Sequence, residues 1–139
     1  MTRRYRIVLG AMIAFAGCAS APQEEEVNKS AAKTLAKYER TGEKTTCLSI
    51  TQISQIRPVT ESTFLVRVRA GDYYVNDVSG RCNGATQSFT RIEYTTSLNQ
   101  LCSNEIIRIV DNTNGFQVGG CSLGSYEKLQ KKPPADEEG

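Results

Sequence analysis

Apolar and polar residues alternate along much of the chain with the period of a β-strand. The segment Thr63–Arg69 shows this most clearly, because Phe64, Val66 and Val68 fall on one face and two arginines fall on the other. Such alternation is typical of a strand with one buried face. The pattern predicts six strands, over residues 46–56, 63–69, 73–78, 87–96, 105–111 and 116–122.

Glycine-containing turns separate these segments. Gly71 lies between the second and third predicted strands, and Asn114-Gly115 lies between the last two, where a tight turn needs positive φ. Short strands at this spacing predict a mainly β fold: a small disulfide-stapled antiparallel β-barrel or sandwich of about six strands, preceded by one N-terminal helix. The pattern does not separate the barrel from the sandwich.

The predicted helix covers residues 27–42. Val27, Ala31, Leu35 and Tyr38 recur at spacings of four, four and three, which places them on one stripe of a helix. Gly42 is the predicted C-terminal end of this helix, because glycine is common just after the last helical residue. The apolar stripe is thin, so we expect this helix to lean on the β domain.

The N-terminus has the three parts of an export signal. Three arginines precede the apolar stretch Ile7–Ala16, which fits a signal h-region and is too short to span a bilayer. Ala16 and Gly17 then put small side chains directly before Cys18. This arrangement resembles the bacterial lipobox, with Phe15 in place of the usual aliphatic residue. The resemblance implies cleavage before Cys18 and lipid on its thiol. The alternatives are an ordinary secretory signal with Cys18 merely near the cut, and a buried N-terminal helix.

The resemblance to lipoproteins also implies a location. Lipid on Cys18 would hold the protein on a membrane without a transmembrane segment. Ala19 follows the cysteine where an Asp would retain a lipoprotein in the inner membrane, which implies the periplasmic face of the outer membrane. The predicted organisation is a signal peptide (1–17), a lipidated cysteine and tether (18–26), a helix (27–42), a β domain (45–127) and a disordered tail (128–139).

Charge and composition exclude several functions. Three of the 17 Lys and Arg residues lie in the predicted signal, so the mature chain has one more acidic than basic residue. Nothing in that balance favours nucleic acid as a partner. The chain has no histidine, the commonest metal ligand and general base. We therefore predict no cofactor, no metal and no nucleic-acid partner.

Four cysteines remain once Cys18 is assigned to lipid, and an even number in an exported domain predicts two disulfides. Three pairings are open. We favour Cys47 with Cys121, which would tie the first strand to the last, and Cys82 with Cys102, which would clamp the strand between them. The wide spacing of the four cysteines does not suit a structural zinc site.

No recognisable catalytic motif occurs. A classical serine triad needs histidine, and residues 111–115 lack the glycine spacing and closing glutamate of an EF-hand loop. Two carboxylate pairs, Asp72 with Asp77 and Glu93 with Glu105, are the candidates for hydrolase chemistry. Surface acids are their ordinary interpretation, and we expect the protein not to be an enzyme.

A contact surface is predicted on the second and third strands. If Tyr73 faces inward, Tyr74 and Asn76 face outward beside the arginines, and such a row would suit a glycan or an envelope protein. The predicted surface consists of Arg67, Arg69, Tyr74 and Asn76. Three hypotheses follow: a lipid-anchored, non-catalytic binding or structural protein; an inhibitor or accessory subunit of a periplasmic enzyme or assembly; and a small carboxylate-dependent hydrolase.

Several short motifs resemble an uncharacterised family of small four-cysteine proteobacterial exported proteins and lipoproteins. The resemblance implies the domain boundaries and the cysteine framework. It implies no activity and no functional residue. The matching segments are Cys47 with Ile50 and Ile53, Thr63–Val66, Tyr74–Asn76 ahead of Cys82, Thr96–Leu98, Leu101–Cys102, Glu105–Ile107 and Cys121–Tyr126.

Overall fold

The computed structural model describes residues 26–96 and 98–135. The predicted signal, Cys18 and the tether up to residue 25 lie outside these residues. Within them, one helix is followed by ten strands in chain order: α1 (Lys29–Leu35), β1 (Tyr38–Thr45), β2 (Cys47–Ser49), β3 (Ile53–Pro58), β4 (Thr63–Val68), β5 (Tyr73–Asp77), β6 (Thr90–Tyr94), β7 (Gln100–Cys102), β8 (Ile106–Asp111), β9 (Gln117–Ser122) and β10 (Tyr126–Lys131).

The mainly β, antiparallel fold with one preceding helix is confirmed. In the described part of the chain the strands form a five-stranded sheet (β1-β10-β5-β4-β3), a three-stranded sheet (β6-β8-β9) and a two-stranded sheet (β2-β7). More strands are present than the six predicted. The additional ones are short or strongly polar, as in β1, where all residues after Tyr38 are exposed.

The helix is shorter than predicted. Asn28 caps α1 by accepting a hydrogen bond from the Ala31 backbone N–H, and the helix ends at Leu35 rather than near residue 42. From Tyr38 the chain instead pairs with β10. A helix with an apolar stripe only one residue wide gains little stability, because a short helix depends on tertiary packing. The backbone hydrogen bonds between β1 and β10 therefore outweigh continuation of the helix beyond Leu35.

The C-terminal tail begins later than predicted. Residues 128–131 are not disordered; they belong to β10, which lies between β1 and β5 in the five-stranded sheet. Leu129 is buried against Leu65 and Val75. The polar composition of this segment concealed a strand that has a single apolar position facing the helix.

The main core lies between the three sheets. Residues of the five-stranded sheet, chiefly Phe64 and Val66, pack with Leu48, Leu101 and Ile109 of the other two. A second, smaller core lies on the other face of the five-stranded sheet, beneath α1. Its buried members are Ala31, Val59, Leu65, Val75 and Leu129.

The disulfides join Cys47 to Cys102 and Cys82 to Cys121. The predicted pairing of Cys47 with Cys121 and Cys82 with Cys102 is therefore wrong. Cys47 and Cys102 are direct cross-strand neighbours on β2 and β7, with Cα atoms 4.0 Å apart. The short β7 does not appear in the sequence pattern, and without it nothing indicated that Cys102 faces the first cysteine.

Candidate functional site

A cleft lies between β3 and β6. It has a volume of about 370 Å³. These two strands are the outer strands of different sheets, and no hydrogen bond joins them within the described residues. The apolar side chains that line the cleft are Ile53, Ile56, Pro58, Ala85, Ile92 and Tyr94.

The backbone of β6 turns half of its polar groups towards the cleft. Asn112 N donates to Phe89 O, so residues 89 and 112 form a hydrogen-bonded pair beside the β6–β8 ladder. In an antiparallel ladder such pairs alternate. Arg91 and Glu93 therefore bond to β8, whereas the N–H and C=O groups of Ile92 point to the open edge.

The same reasoning applies to β3. Val59 N donates to Thr63 O, which makes Arg57 and Gln55 the residues that bond to β4. The backbone groups of Ile56 then face the cleft. Pro58 follows at the same side of the strand, where it has no N–H to offer. The cleft thus has polar backbone on both walls and apolar side chains between them.

Arg91 is the charged residue among those lining the cleft. Its guanidinium lies 2.6 Å from a carboxylate oxygen of Glu93 and donates to Asn112 Oδ1 at 3.0 Å. Both partners lie on the solvent side of the three-stranded sheet. The rim of the cleft therefore has an ion pair that is open to solvent, since the Arg91 side chain is 46% exposed.

The four residues of the predicted contact surface do not form one surface. Asn76 is completely buried, and its side-chain amide exchanges two 2.8 Å hydrogen bonds with the backbone N–H and C=O of Gly124. The expectation that Asn76 faces outward is wrong. Both faces of β5 are covered at Val75 and Asn76, because the smaller core beneath α1 lies on one and the main core lies on the other.

The other three residues of the predicted surface, Arg67, Arg69 and Tyr74, do not lie on one face of the five-stranded sheet. The Arg67 guanidinium carbon lies 6.0 Å from the ring centre of Tyr73, on the α1 side of the sheet. Tyr74 packs against the main core and, together with Arg69 and Asp72, lines a recess of about 330 Å³. Arg69 and Tyr74 are therefore close, whereas Arg67 is not part of their recess.

The carboxylate pairs suggested by the sequence have separate partners. Asp72 and Asp77 lie at opposite ends of β5, about 16 Å apart along an extended strand. Glu93 pairs with Arg91 and lies 3.8 Å from Arg108. Glu105 accepts a hydrogen bond from the Cys102 backbone N–H. Neither pair brings two free carboxyl groups together around a shared cleft.

A charged cluster at the edge of the five-stranded sheet was not predicted. Arg40 forms a two-point contact with Asp77, at 2.6 and 3.0 Å, and also donates to Glu127 at 3.0 Å. Glu127 is buried and accepts a further hydrogen bond from Gly42 N, inside the bulge of β1. The hydrogen bond from Arg40 lowers the pKa of Asp77, so this carboxyl group stays ionised and is unsuited to act as a general acid.

Tyr126 lies at the centre of the main core. Burial, with smaller contributions from Glu105 and Tyr94, raises the pKa of its hydroxyl above the ordinary value. The hydroxyl oxygen has no hydrogen-bond partner among the described residues. In the same part of the chain no three His, Cys, Asp or Glu residues lie together as a metal site would require.

A family model described as "Family of unknown function (DUF6491)" matches residues 1–136. The chain belongs to this family. No curated protein and no solved structure matches it. The resemblance expected from the short motifs is thereby confirmed as far as membership of a family of unknown function. The proteobacterial origin and the four-cysteine character of the family stay predictions, and this chain has five cysteines.

Because the family model describes no function, the site residues of this DUF6491 protein are assigned from the geometry of the fold. The cleft between β3 and β6 was missed because the sequence pattern predicts strands and not the order in which they pair. Two signals bear on it: Pro58, which is typical of an edge strand, and the regular alternation around Ile92 and Tyr94. No helix in the described residues of this DUF6491 protein is long and apolar enough to span a membrane.

Proposed function

We propose that this protein is exported, anchored by lipid on Cys18, and acts as a non-catalytic binding protein at the periplasmic face of the outer membrane. The observation that carries the binding role is the cleft between β3 and β6. Two strand edges face each other there with no hydrogen bond between them in the described residues. An open edge offers unpaired backbone donors and acceptors to another molecule.

Two separate features of the chain, its first 17 residues and its cysteines, support export. The first 17 residues carry the charged and apolar parts of a signal. All four cysteines of the described domain form disulfides, which persist in oxidising compartments and are rare in a reducing cytosol. The two features fit the same route out of the cytoplasm.

Lipid anchoring is supported by the small residues before Cys18, and two or more acyl chains are enough for stable attachment. The tether of residues 18–26 spans at most about 30 Å when fully extended. The helix that follows it is tied to β3, because Asn28 N donates to Val59 O and Arg57 donates to Ser30 Oγ. In this proposal the Pro58 end of the cleft is therefore the end nearest the tether.

A non-catalytic role is supported by the state of the carboxylates. Asp77 and Glu127 share Arg40, Glu61 accepts from Arg81 and a backbone N–H, and Glu93 lies between two arginines. Carboxylates held by cations in this way are engaged in structural contacts, whereas a catalytic acid or base must be within hydrogen-bond reach of a substrate.

A second candidate is an inhibitor or accessory subunit that docks on a periplasmic enzyme or assembly. Phe89 and Phe116 support it, since they are 48% and 71% exposed. Phe89 O accepts from Asn112 N and Phe116 O accepts from Asp111 N, so both aromatic residues lie at the same end of the three-stranded sheet. Exposed aromatic side chains are enriched at protein interfaces.

Anchoring is tested by replacing the thiol. We expect the wild-type chain to incorporate labelled palmitate and to sediment with outer membranes, and Cys18→Ser to incorporate none and to remain in the soluble periplasmic fraction. Cys47→Ser is the matched control, because it removes a cysteine without touching the predicted lipid site. Label retained by Cys18→Ser would overturn the anchoring proposal.

Binding is tested by placing a photoreactive amino acid at three exposed positions in living cells: Gln55 in the cleft, Phe116 at the end of the three-stranded sheet, and Glu43 on β1 as control. We expect a discrete cross-linked species from Gln55 alone. A species from Phe116 alone would favour the accessory-subunit candidate. Absence of any species from both would contradict a binding role.

A further inference from the structure

The edges of the sheets differ in how well they are protected from other strands. Natural proteins protect edges with bulges, prolines, charges and covering loops. The edge strand β1 has a bulge between Arg40 and Lys44 and an almost wholly exposed, charged sequence. The edge of β9 is covered at its C-terminal end, because Ser79 bridges to Ser122 and Ser79 N donates to Ser122 O.

On the cleft, β3 is protected and β6 is not. β3 has a register irregularity between Ile53 and Gln55 and ends at Pro58. β6 pairs with β8 in unbroken register over all five residues and contains no proline. Its open side therefore offers the backbone groups of Ile92 in regular strand geometry.

We propose that β6 pairs with an extended segment of a partner polypeptide, which enters the cleft as an added antiparallel strand. This inference rests on the proposed binding role and names the class of its ligand. An extended peptide supplies donors and acceptors in alternation, which is the complement that the N–H and C=O groups of Ile92 require.

The side chains of the cleft define the sequence of that segment. Residues of the added strand that face the core meet the half-buried side chains of Ile53 and Ile56, so they are apolar. Residues that face outward lie beside a cluster on the solvent side of the sheet, in which Glu93 lies between Arg91 and Arg108. Two arginines and one glutamate leave this cluster with an excess positive charge, and charge complementarity there favours a carboxylate. The ligand alternates apolar residues with polar ones, at least one of them acidic.

Backbone pairing can be measured residue by residue. Full-length, isotope-labelled protein in detergent is titrated with a blocked synthetic peptide in which valine alternates with threonine and one threonine is replaced by glutamate. We expect amide hydrogen exchange at Ile92 to slow at least about tenfold. The amides of Arg91 and Glu93, already bonded to β8, serve as internal controls and keep their rates.

Two comparisons make the result specific. The same peptide with methylated backbone nitrogens loses its donors and should protect nothing, and equal protection by it would overturn strand addition. Arg91→Gln should weaken the glutamate peptide by about two- to fivefold, as expected for an exposed ion pair, and leave a lysine-bearing version unchanged. An equal effect on both peptides would contradict the charge assignment.

The outcome separates this inference from the proposed function. A cross-linked partner at Gln55 without any slowing of exchange at Ile92 leaves the binding role in place and overturns the added strand. Slowed exchange at Ile92 together with a cross-linked partner supports both.

Discussion

The five-stranded sheet has packed residues on both faces, whereas the three-stranded sheet leaves much of its outer face to solvent. In the first, Phe64 and Val66 pack into the main core while Leu65 packs under α1. In the second, Ile109 faces the main core while Ile106 is 60% exposed on the outer side. The two sheets therefore differ in how much apolar area holds them.

They also differ in what holds their ends. The five-stranded sheet contains no cysteine, and its end is held by polar contacts: Arg40 with Asp77 and Glu127, and Asn76 with Gly124. The three-stranded sheet is tied to a neighbouring loop by the Cys82–Cys121 disulfide, inside the main core. A sheet packed on one side thus has a covalent tie where the sheet packed on both sides relies on hydrogen bonds and charge.

The largest expected effect is the loss of the buried disulfide. Chain entropy predicts about 4 kcal/mol for either disulfide, because their closed loops are of similar length. Cys82 and Cys121 are also buried, whereas Cys47 and Cys102 are half-buried. We expect the double variant Cys82→Ala/Cys121→Ala to lose more unfolding free energy in urea titrations than Cys47→Ala/Cys102→Ala. Peptide mapping without reduction checks the pairing first, and equal losses would count against a special role for the buried tie.

A matched pair of glycines compares the two sheets more finely. A Cβ at Gly124 would lie 2.1 Å from Asp77 O, and a Cβ at Gly119 would lie 2.2 Å from Asn83 O. Asp77 is held at the end of β5 by Arg40, and Asn83 lies between Cys82, which is disulfide-bonded to Cys121, and Gly84, whose N–H donates to Glu61. Because both neighbours are held backbone oxygens, we expect Gly124→Ala and Gly119→Ala each to cost about 3 kcal/mol in the free energy of unfolding.

Thermal unfolding of both variants measures this cost. Gly71→Ala, at a turn with positive φ and no atom within 4 Å, gives the cost of backbone strain without a clash. A near-zero loss at either Gly119 or Gly124 would show that the backbone beside that glycine shifts without cost.

Sequence patterns predicted the strands that alternate and missed those that do not. The β4–β5 hairpin and the β8–β9 hairpin follow from alternation and from the turn glycines. β1 and β10 were missed because nearly every outward residue is polar and charge alone does not indicate pairing. The disulfide pairing and the cleft depend on which strands are neighbours, and one sequence contains no direct signal for that. Asn76 was misplaced because alternation on β5 does not reveal that both faces are covered.

The buried amide of Asn76 tests the polar contacts that hold the end of the five-stranded sheet. Asn76→Ala would leave the backbone N–H and C=O of Gly124 buried without their partners, which costs about 2 kcal/mol. Asn112→Ala, at an exposed position on the opposite sheet, should change the free energy of unfolding by less than about 0.5 kcal/mol. Urea unfolding measures both, and a near-zero effect at Asn76 would mean that the chain around Gly124 rearranges without cost.

The smallest effect concerns the charged cluster and is visible only as a dependence on pH. The Asp77 carboxyl group hydrogen-bonds Arg40, which lowers its pKa in the folded protein below the ordinary value of 3.8. A group with a lowered folded pKa stabilises the fold above its unfolded pKa, and that stability is lost as the pH falls through the folded pKa.

The side chains of Arg40 and Asp77 are 46% and 52% exposed, so we expect Asp77→Asn to cost at most about 1 kcal/mol at neutral pH. The difference from wild type should shrink as the pH falls below 3.8 and should be reduced by salt. Asp72→Asn is the control at neutral pH, since its carboxylate lies 4.0 Å from Lys128 Nζ without a two-point contact, and it should cost less than Asp77→Asn. The free energies of unfolding of Asp77→Asn and wild type could instead keep the same difference down to strongly acidic pH. In that case packing, and not charge, would hold the edge of the five-stranded sheet, and charge would no longer distinguish it from the disulfide-tied sheet.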